Sequence, residues 1–159
     1  MPKTKKFYER SALAKILAGL RRRGKRIVFT NGVYDLIHAG HVTLLEKSKK
    51  LGDVLVLGIN SDASVHRLKG PKRPIATQAD RILVLSALAP VDYIALFNED
   101  TPYDLIQALK PDILVKGGDY KADQIVGREL VKKVVRVPLV EGRSTSNIIK
   151  KILAAYAPQ

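Results

Sequence analysis

Apolar residues recur at helical spacing near the start of the chain, at Leu13, Ile16, Leu17 and Leu20, and the pattern stops at Gly24. It predicts one amphipathic helix packed on the outside of a core. Short apolar runs then follow at Ile27-Val28-Phe29, Val54 to Ile59, Val91 to Phe97, Ile113-Leu114-Val115 and Val134 to Leu139, each the length of a buried strand. Helical periodicity fills most of the gaps. One helix is expected over Val42 to Leu51 with Gly40 and His41 in its first turn. Others are marked by Ile82, Leu85 and Ala89 after Asp80, and by Leu105, Ile106 and Leu109 after Asp100-Thr101-Pro102, where proline suits a first helical turn. Strands alternating with helices predict an α/β fold: an open parallel sheet with helices on both faces. Right-handed crossovers put the ligand crevice beyond the carboxyl ends of the strands. Thr30, Asn60, Lys116 and Gly142 should approach that edge.

The connection from Ser61 to Ala79 holds Lys69-Gly70-Pro71-Lys72-Arg73-Pro74 and shows no clear period. A loop of this length in a small domain is expected to be a lid or an exposed basic loop. The chain has 159 residues, enough for one core and too few for two ordinary domains. The expected layout is a helical extension over 1–24, the main domain over 25–153 and a frayed tail over 154–159. No apolar run reaches bilayer length, and the basic start is not followed by an apolar signal core. A soluble, cytoplasmic protein with no membrane partner is expected. The absence of cysteine excludes disulfides and thiolate catalysis. Any metal must then be held by oxygen or imidazole, and no metal-ligand set stands out. The net charge of +13 attracts polyanions. Its lysines and arginines lack the interleaved aromatics that stack bases, so the expectation is phosphorylated small molecules and no nucleic acid.

The chemistry concentrates in Thr30-Asn31-Gly32-Val33-Tyr34-Asp35-Leu36-Ile37-His38-Ala39-Gly40-His41. His38 and His41 are three residues apart where a strand hands over to a helix, so both rings can face one phosphate, and Gly40 allows close backbone approach. A helix start adds unpaired N–H groups and partial positive charge. Taken alone, either histidine is as compatible with a cap or a core partner. Gly142-Arg143-Ser144-Thr145-Ser146 precedes the periodic Ile148, Ile149, Ile152 and Leu153. At least one of its hydroxyls should cap that helix, and together they make a phosphate cradle. Lys116-Gly117-Gly118-Asp119-Tyr120 follows a strand, and its glycines would let a base or ribose lie against the backbone.

The segment from Thr30 to His41 resembles the signature of the cytidylyltransferase-like nucleotidyltransferases. More narrowly, Asn60-Ser61-Asp62, Leu68-Lys69-Gly70-Pro71, Arg73-Pro74-Ile75, Asn98 to Pro102, Lys116 to Tyr120, Ile125-Val126-Gly127 and Val140-Glu141-Gly142 resemble the D-glycero-β-D-manno-heptose 1-phosphate adenylyltransferases. The resemblance covers nearly everything from Lys25 to Leu153. It implies a Rossmann-like sheet of nucleotidyltransferase type and transfer of AMP from ATP, with Mg2+, to heptose 1-phosphate, giving ADP-heptose and pyrophosphate for lipopolysaccharide core synthesis. His38, His41 and Lys69 would be catalytic. Thr30, Asn31, Gly32, Tyr34, Gly40, Lys116, Gly117, Gly118, Asp119, Ser144, Thr145 and Ser146 would hold nucleotide. Asp35, Asn60, Asp62, Lys72 and Arg81 are candidates around phosphate or sugar. A separate heptose kinase would act upstream, and the resemblance is compatible with a homodimer. The alternative is a cytidylyltransferase acting on glycerol 3-phosphate or a phosphorylated amino alcohol. A pantetheine-phosphate adenylyltransferase fits less well, because Lys69-Gly70-Pro71 and Glu99 to Pro102 match the heptose group better.

Overall fold

A computed structural model describes residues 4–118, 124–138, 140 and 142–157. Five parallel strands form one sheet in the order β3-β2-β1-β4-β5. They are β1 (Ile27–Gly32), β2 (Val54–Asn60), β3 (Tyr93–Phe97), β4 (Ile113–Gly117) and β5 (Lys133–Val137). The helices are α1 (Arg10–Arg22), α2 (Ala39–Lys49), α3 (Asp62–Lys69), α4 (Gln78–Ser86), α5 (Tyr103–Leu109) and α6 (Thr145–Tyr156). The open parallel α/β sheet expected from the alternating pattern is therefore present.

Successive strand residues feed two cores, because side chains alternate across a sheet. Ile27, Phe29, Val56 and Leu114 pack with Leu13 and Leu17 of α1 and with Leu105 and Leu109 of α5. Val28, Leu55, Leu57 and Val115 pack with Leu45 of α2 and Ile82 and Leu85 of α4. Every residue of β2 is buried, as expected of a strand covered on both faces, and each such Leu or Ile contributes about 1.5–3 kcal/mol. Helix α1 is thus part of the main core. At the amino ends of the strands, three aspartates accept strand-entry N–H groups: Asp53 from Arg26 at 2.8 Å, Asp112 from Ile27 at 2.9 Å and Asp92 from Leu55 at 2.7 Å.

Two expectations change. The stretch from Ser61 to Ala79 is not one loop, since α3 occupies its first half, capped by Ser61 Oγ accepting from Ser64 N at 3.1 Å. With only Ser64 and Val65 buried, this helix carries almost no apolar period to detect. The expected tail is also shorter, because α6 runs on through Tyr156. Smaller shifts occur at helix starts. Thr77, not Asp80, caps α4, and Pro102 stands at the cap of α5, one position before its first residue.

Candidate active site

In this order of strands the direction of winding reverses between β1 and β4, so their carboxyl ends open a crevice. A cleft of about 590 Å³ lies there. Its floor is Asn31 and Gly32 of β1, Asn60 of β2, and Lys116 and Gly117 of β4. Thr30, one residue deeper, is buried, with its hydroxyl beside that of Tyr34.

The chain leaves β1 through a turn in which Tyr34 adopts φ 51°, a conformation that L residues other than Gly, Asn and Asp seldom hold. It folds the tyrosine ring back over Gly32, where a β-carbon would stand 2.9 Å from the ring. The same ring lies 4.9 Å from that of His41, centroid to centroid, at 52°. His41 in turn stacks on His38 at 3.8 Å and 23°. His38 sits at the cap position of α2 with extended backbone, and His41 is the third helical residue. A β-carbon on Gly40 would come within 3.0 Å of the His38 ring and 3.3 Å of Arg143 Cβ, so glycine is what lets these groups converge. His41, Tyr34 and Asp35 line the cleft, whereas His38 and Gly40 stand behind His41.

Burial, and then the charge of Arg143, hold the His38 imidazole below its usual range. Burial, with His38 adding to it, pushes His41 down to about 4. Both rings are neutral at pH 7. Burial also drives the Tyr34 hydroxyl well above its usual value. Among the described residues, His38 Nδ1 and His41 Nδ1 are buried without a partner, and the buried Tyr34 and Thr30 hydroxyls lie near enough for Thr30 to offset part of the effect of burial on Tyr34.

The opposite wall comes from the Ser/Thr motif and the loop after α3. Ser144 caps α6, its Oγ accepting from Asn147 N at 3.1 Å, so its hydroxyl is spent on the helix. Thr145 and Ser146 face the cleft, and Thr145 Oγ1 also donates to Leu36 O at 3.3 Å. Lys69 lines the cleft from the end of α3; Lys72 does not. Asp35 is buried and accepts from Ile75 N and Ala76 N, both at 2.8 Å, and from Arg73. Burial alone would raise its carboxyl, but the Ala76, Ile75 and Arg73 donors outweigh it and hold Asp35 below the usual carboxylate range.

Arg81 departs from the expected phosphate grip. It is 1% exposed and donates to Ala76 O, Val33 O, Asn60 O and Asp62 Oδ1. Those four acceptors turn the guanidinium into a brace between the β1 exit, β2 and the loop before α4, and neither Arg81 nor Asp62 lines the cleft. Gly118 also lies outside the lining and donates its N–H to Val137 O at 3.0 Å. Asp119 and Tyr120 fall outside the described residues. Sequence reasoning assigned no role to Arg73, Leu44, Thr101 or Ile125, which complete the walls. The basic loop and the Asp100-Thr101-Pro102 helix start were the available signals. A second groove, of about 800 Å³, lies beside Arg10, Arg67 and Glu99. Its two arginines are paired, as Arg10–Glu99 and Arg67–Asp100.

The family model for cytidylyltransferase-like proteins matches residues 29–156. The chain belongs to this family. Among curated relatives, the "Bifunctional protein HldE" of Wolinella succinogenes is 55% identical over 147 residues, which is 92% of this chain and 31% of that protein. The protein of the same name from Geobacter sulfurreducens is 54% identical over 151 residues, with the same coverage. This chain therefore spans about a third of the length of the curated relatives it matches. A solved structure, the lipopolysaccharide core biosynthesis protein of Thermoplasma volcanium, superposes with a TM-score of 0.64 at 34% identity, covering 74% of this chain and all of that one. The pantoate-beta-alanine ligase of Francisella tularensis, at 21% identity and TM-score 0.60 over 90% of this chain and 69% of that one, shares the fold.

Proposed function

We propose that this chain transfers AMP from ATP to D-glycero-β-D-manno-heptose 1-phosphate, releasing pyrophosphate and forming ADP-heptose. The observation that carries the reading is that, among the described residues, the buried side-chain polar atoms without a partner outside this cluster, His38 Nδ1 and His41 Nδ1 among them, all belong to the β1 exit and the start of α2. Buried polar groups are nearly always paired, so unpartnered atoms gathered at and just behind one wall of the cleft, with Tyr34 and His41 on its lining, fit a ligand that engages this wall. The relatives named HldE, and the lipopolysaccharide core protein among the solved structures, direct that general chemistry toward a heptose. No observation favours glycerol 3-phosphate or an amino alcohol as acceptor.

In this reaction an acceptor phosphate oxygen attacks the α-phosphorus in line. The bond from that phosphorus to the bridging oxygen breaks, and pyrophosphate leaves with the electron pair. No protein nucleophile is needed, so the residues position groups and stabilise charge. Neutral His41 donates an N–H group toward the phosphoryl oxygens, with His38 stacked behind it to hold the ring in place, beside the N–H groups at the start of α2. Ser146 donates its hydroxyl from the facing helix, Thr145 can do the same by turning its hydroxyl away from Leu36 O, and Lys69 reaches in from the rim. Among the described residues no three acidic or histidine side chains group as metal ligands. Asp35 and Asp62 are already engaged with Arg73 and Arg81. This donor set fits magnesium brought in on the triphosphate, where it would neutralise phosphate charge. A sugar kinase must supply the acceptor, and dependence on ATP fits a cytoplasmic reaction.

The test is pyrophosphate release with ATP and CTP in parallel across a panel of sugar 1-phosphates and glycerol 3-phosphate, with the product identified by mass. Preference for ATP and heptose 1-phosphate is expected. Preference for CTP, or no turnover with any sugar phosphate, overturns the assignment.

A further inference from the structure

Lys116 lies on β4 at the point where the winding of the sheet reverses, and it crosses to β1 to donate to Asn31 Oδ1. It is half-buried, lines the cleft, and has this neutral amide oxygen as its hydrogen-bond partner among the described residues. The other cations nearby are placed differently. Arg73 is matched by Asp35, Arg81 by four protein acceptors including Asp62, Lys69 stands at the exposed rim, and Arg143 is exposed beside His38, behind the cleft wall. Lys116 is thus a partly desolvated positive charge in the cleft floor without a paired counter-charge among the described residues. Such a charge is costly unless an anion completes it.

We infer that Lys116 is the phosphate-binding cation of the cleft floor, its ammonium taking a substrate phosphate oxygen across the junction of β1 and β4 while Asn31 holds it in place. This deepens the nucleotidyl-transfer reading and rests on it for the identity of the substrates. The phosphate has two sources, the nucleotide or the sugar 1-phosphate. A brace that merely tied β4 to β1 would need no ligand.

One consequence separates these readings. Burial holds the Lys116 ammonium down to about 8, so near pH 8.5 most free molecules carry it neutral, and a bound phosphate must restore the proton. Uptake of about 0.7 proton per site is expected at that pH. Above pH ~8, phosphate affinity should fall by up to about tenfold per pH unit.

The experiment is calorimetric titration near pH 8.5 in buffers of different ionisation enthalpy. The probes are ATP, heptose 1-phosphate and inorganic tripolyphosphate, each added to wild type and Lys116→Met, with thermal unfolding of both proteins recorded. The inference requires proton uptake in wild type that disappears in Lys116→Met, together with tenfold or greater loss of affinity and unchanged or higher thermal stability. Uptake with ATP assigns the nucleotide phosphate; uptake with the sugar phosphate alone assigns the acceptor. If tripolyphosphate shows Lys116-dependent uptake while ATP and heptose 1-phosphate do not bind, the phosphate site stands and the substrate assignment fails. Binding without proton uptake, uptake unchanged in the variant, or a variant that unfolds at lower temperature yet binds all probes normally overturns the role of Lys116.

Discussion

At the scale of the single residue, His41 carries the clearest expectations. It stacks between Tyr34 and His38 with Nδ1 unpaired. Removing one preorganised donor of transition-state charge costs on the order of a hundredfold. His41→Ala should therefore lower kcat by about that factor while the thermal unfolding profile keeps its cooperative shape, measured by pyrophosphate release and circular dichroism. The same burial predicts a pH effect on stability. The folded value near 4 lies below the unfolded value of about 6.5, so between them the unfolded chain holds a proton that the folded chain refuses. This contribution to stability is fully present above pH ~6.5 and is lost progressively as pH falls toward ~4. Urea unfolding midpoints taken from pH 7 to 4 should fall more steeply for wild type than for His41→Asn. Arg81 gives a contrasting case. Arg81→Met would leave four carbonyl or carboxylate acceptors without their donor, and removing one side of a buried polar network costs about 3 kcal/mol or more. The expected result is a large loss in urea stability. At low temperature, the KM for ATP of the folded fraction should stay within a few-fold of wild type, whereas a direct phosphate ligand would raise it far more.

At the scale of the element, the start of α6 separates capping from chemistry. Ser144 spends its hydroxyl on Asn147 N, whereas Thr145 and Ser146 face the cleft. Ser144→Ala should cost about 1 kcal/mol in stability with little change in KM, and Ser146→Ala should raise the KM for ATP with little change in stability. Steady-state kinetics and denaturation on the same two proteins test the division. The elements also show what could be read ahead of the structure. The strands were legible because period and length mark a buried β run, and the two-histidine turn was legible because its parts are adjacent in sequence. Helix α3 was hidden because its surface is mostly polar. Asp35, Arg81 and Lys116 stood out as candidates, but their partners were hidden because these lie far along the chain: 38 residues separate Arg73 from Asp35, and 85 separate Lys116 from Asn31. Local sequence pattern carries no information about which polar side chains meet across a sheet edge.

At the scale of the molecule, the two ends of the sheet do different work. Asp53, Asp92 and Asp112 tie down strand entries at the amino end, while the buried hydroxyl and imidazole groups gather where β1 gives way to α2. Tm should therefore respond strongly to Asp112→Ala, which removes the acceptor for Ile27 N, while kcat measured well below the unfolding transition changes less than twofold. The spatial split has a consequence for divergence. Altering the exposed rim at Thr101 would change the mouth of the cleft without touching the strand fastenings or the core, so new substrate preferences could be sampled along a lineage before the fold is weakened.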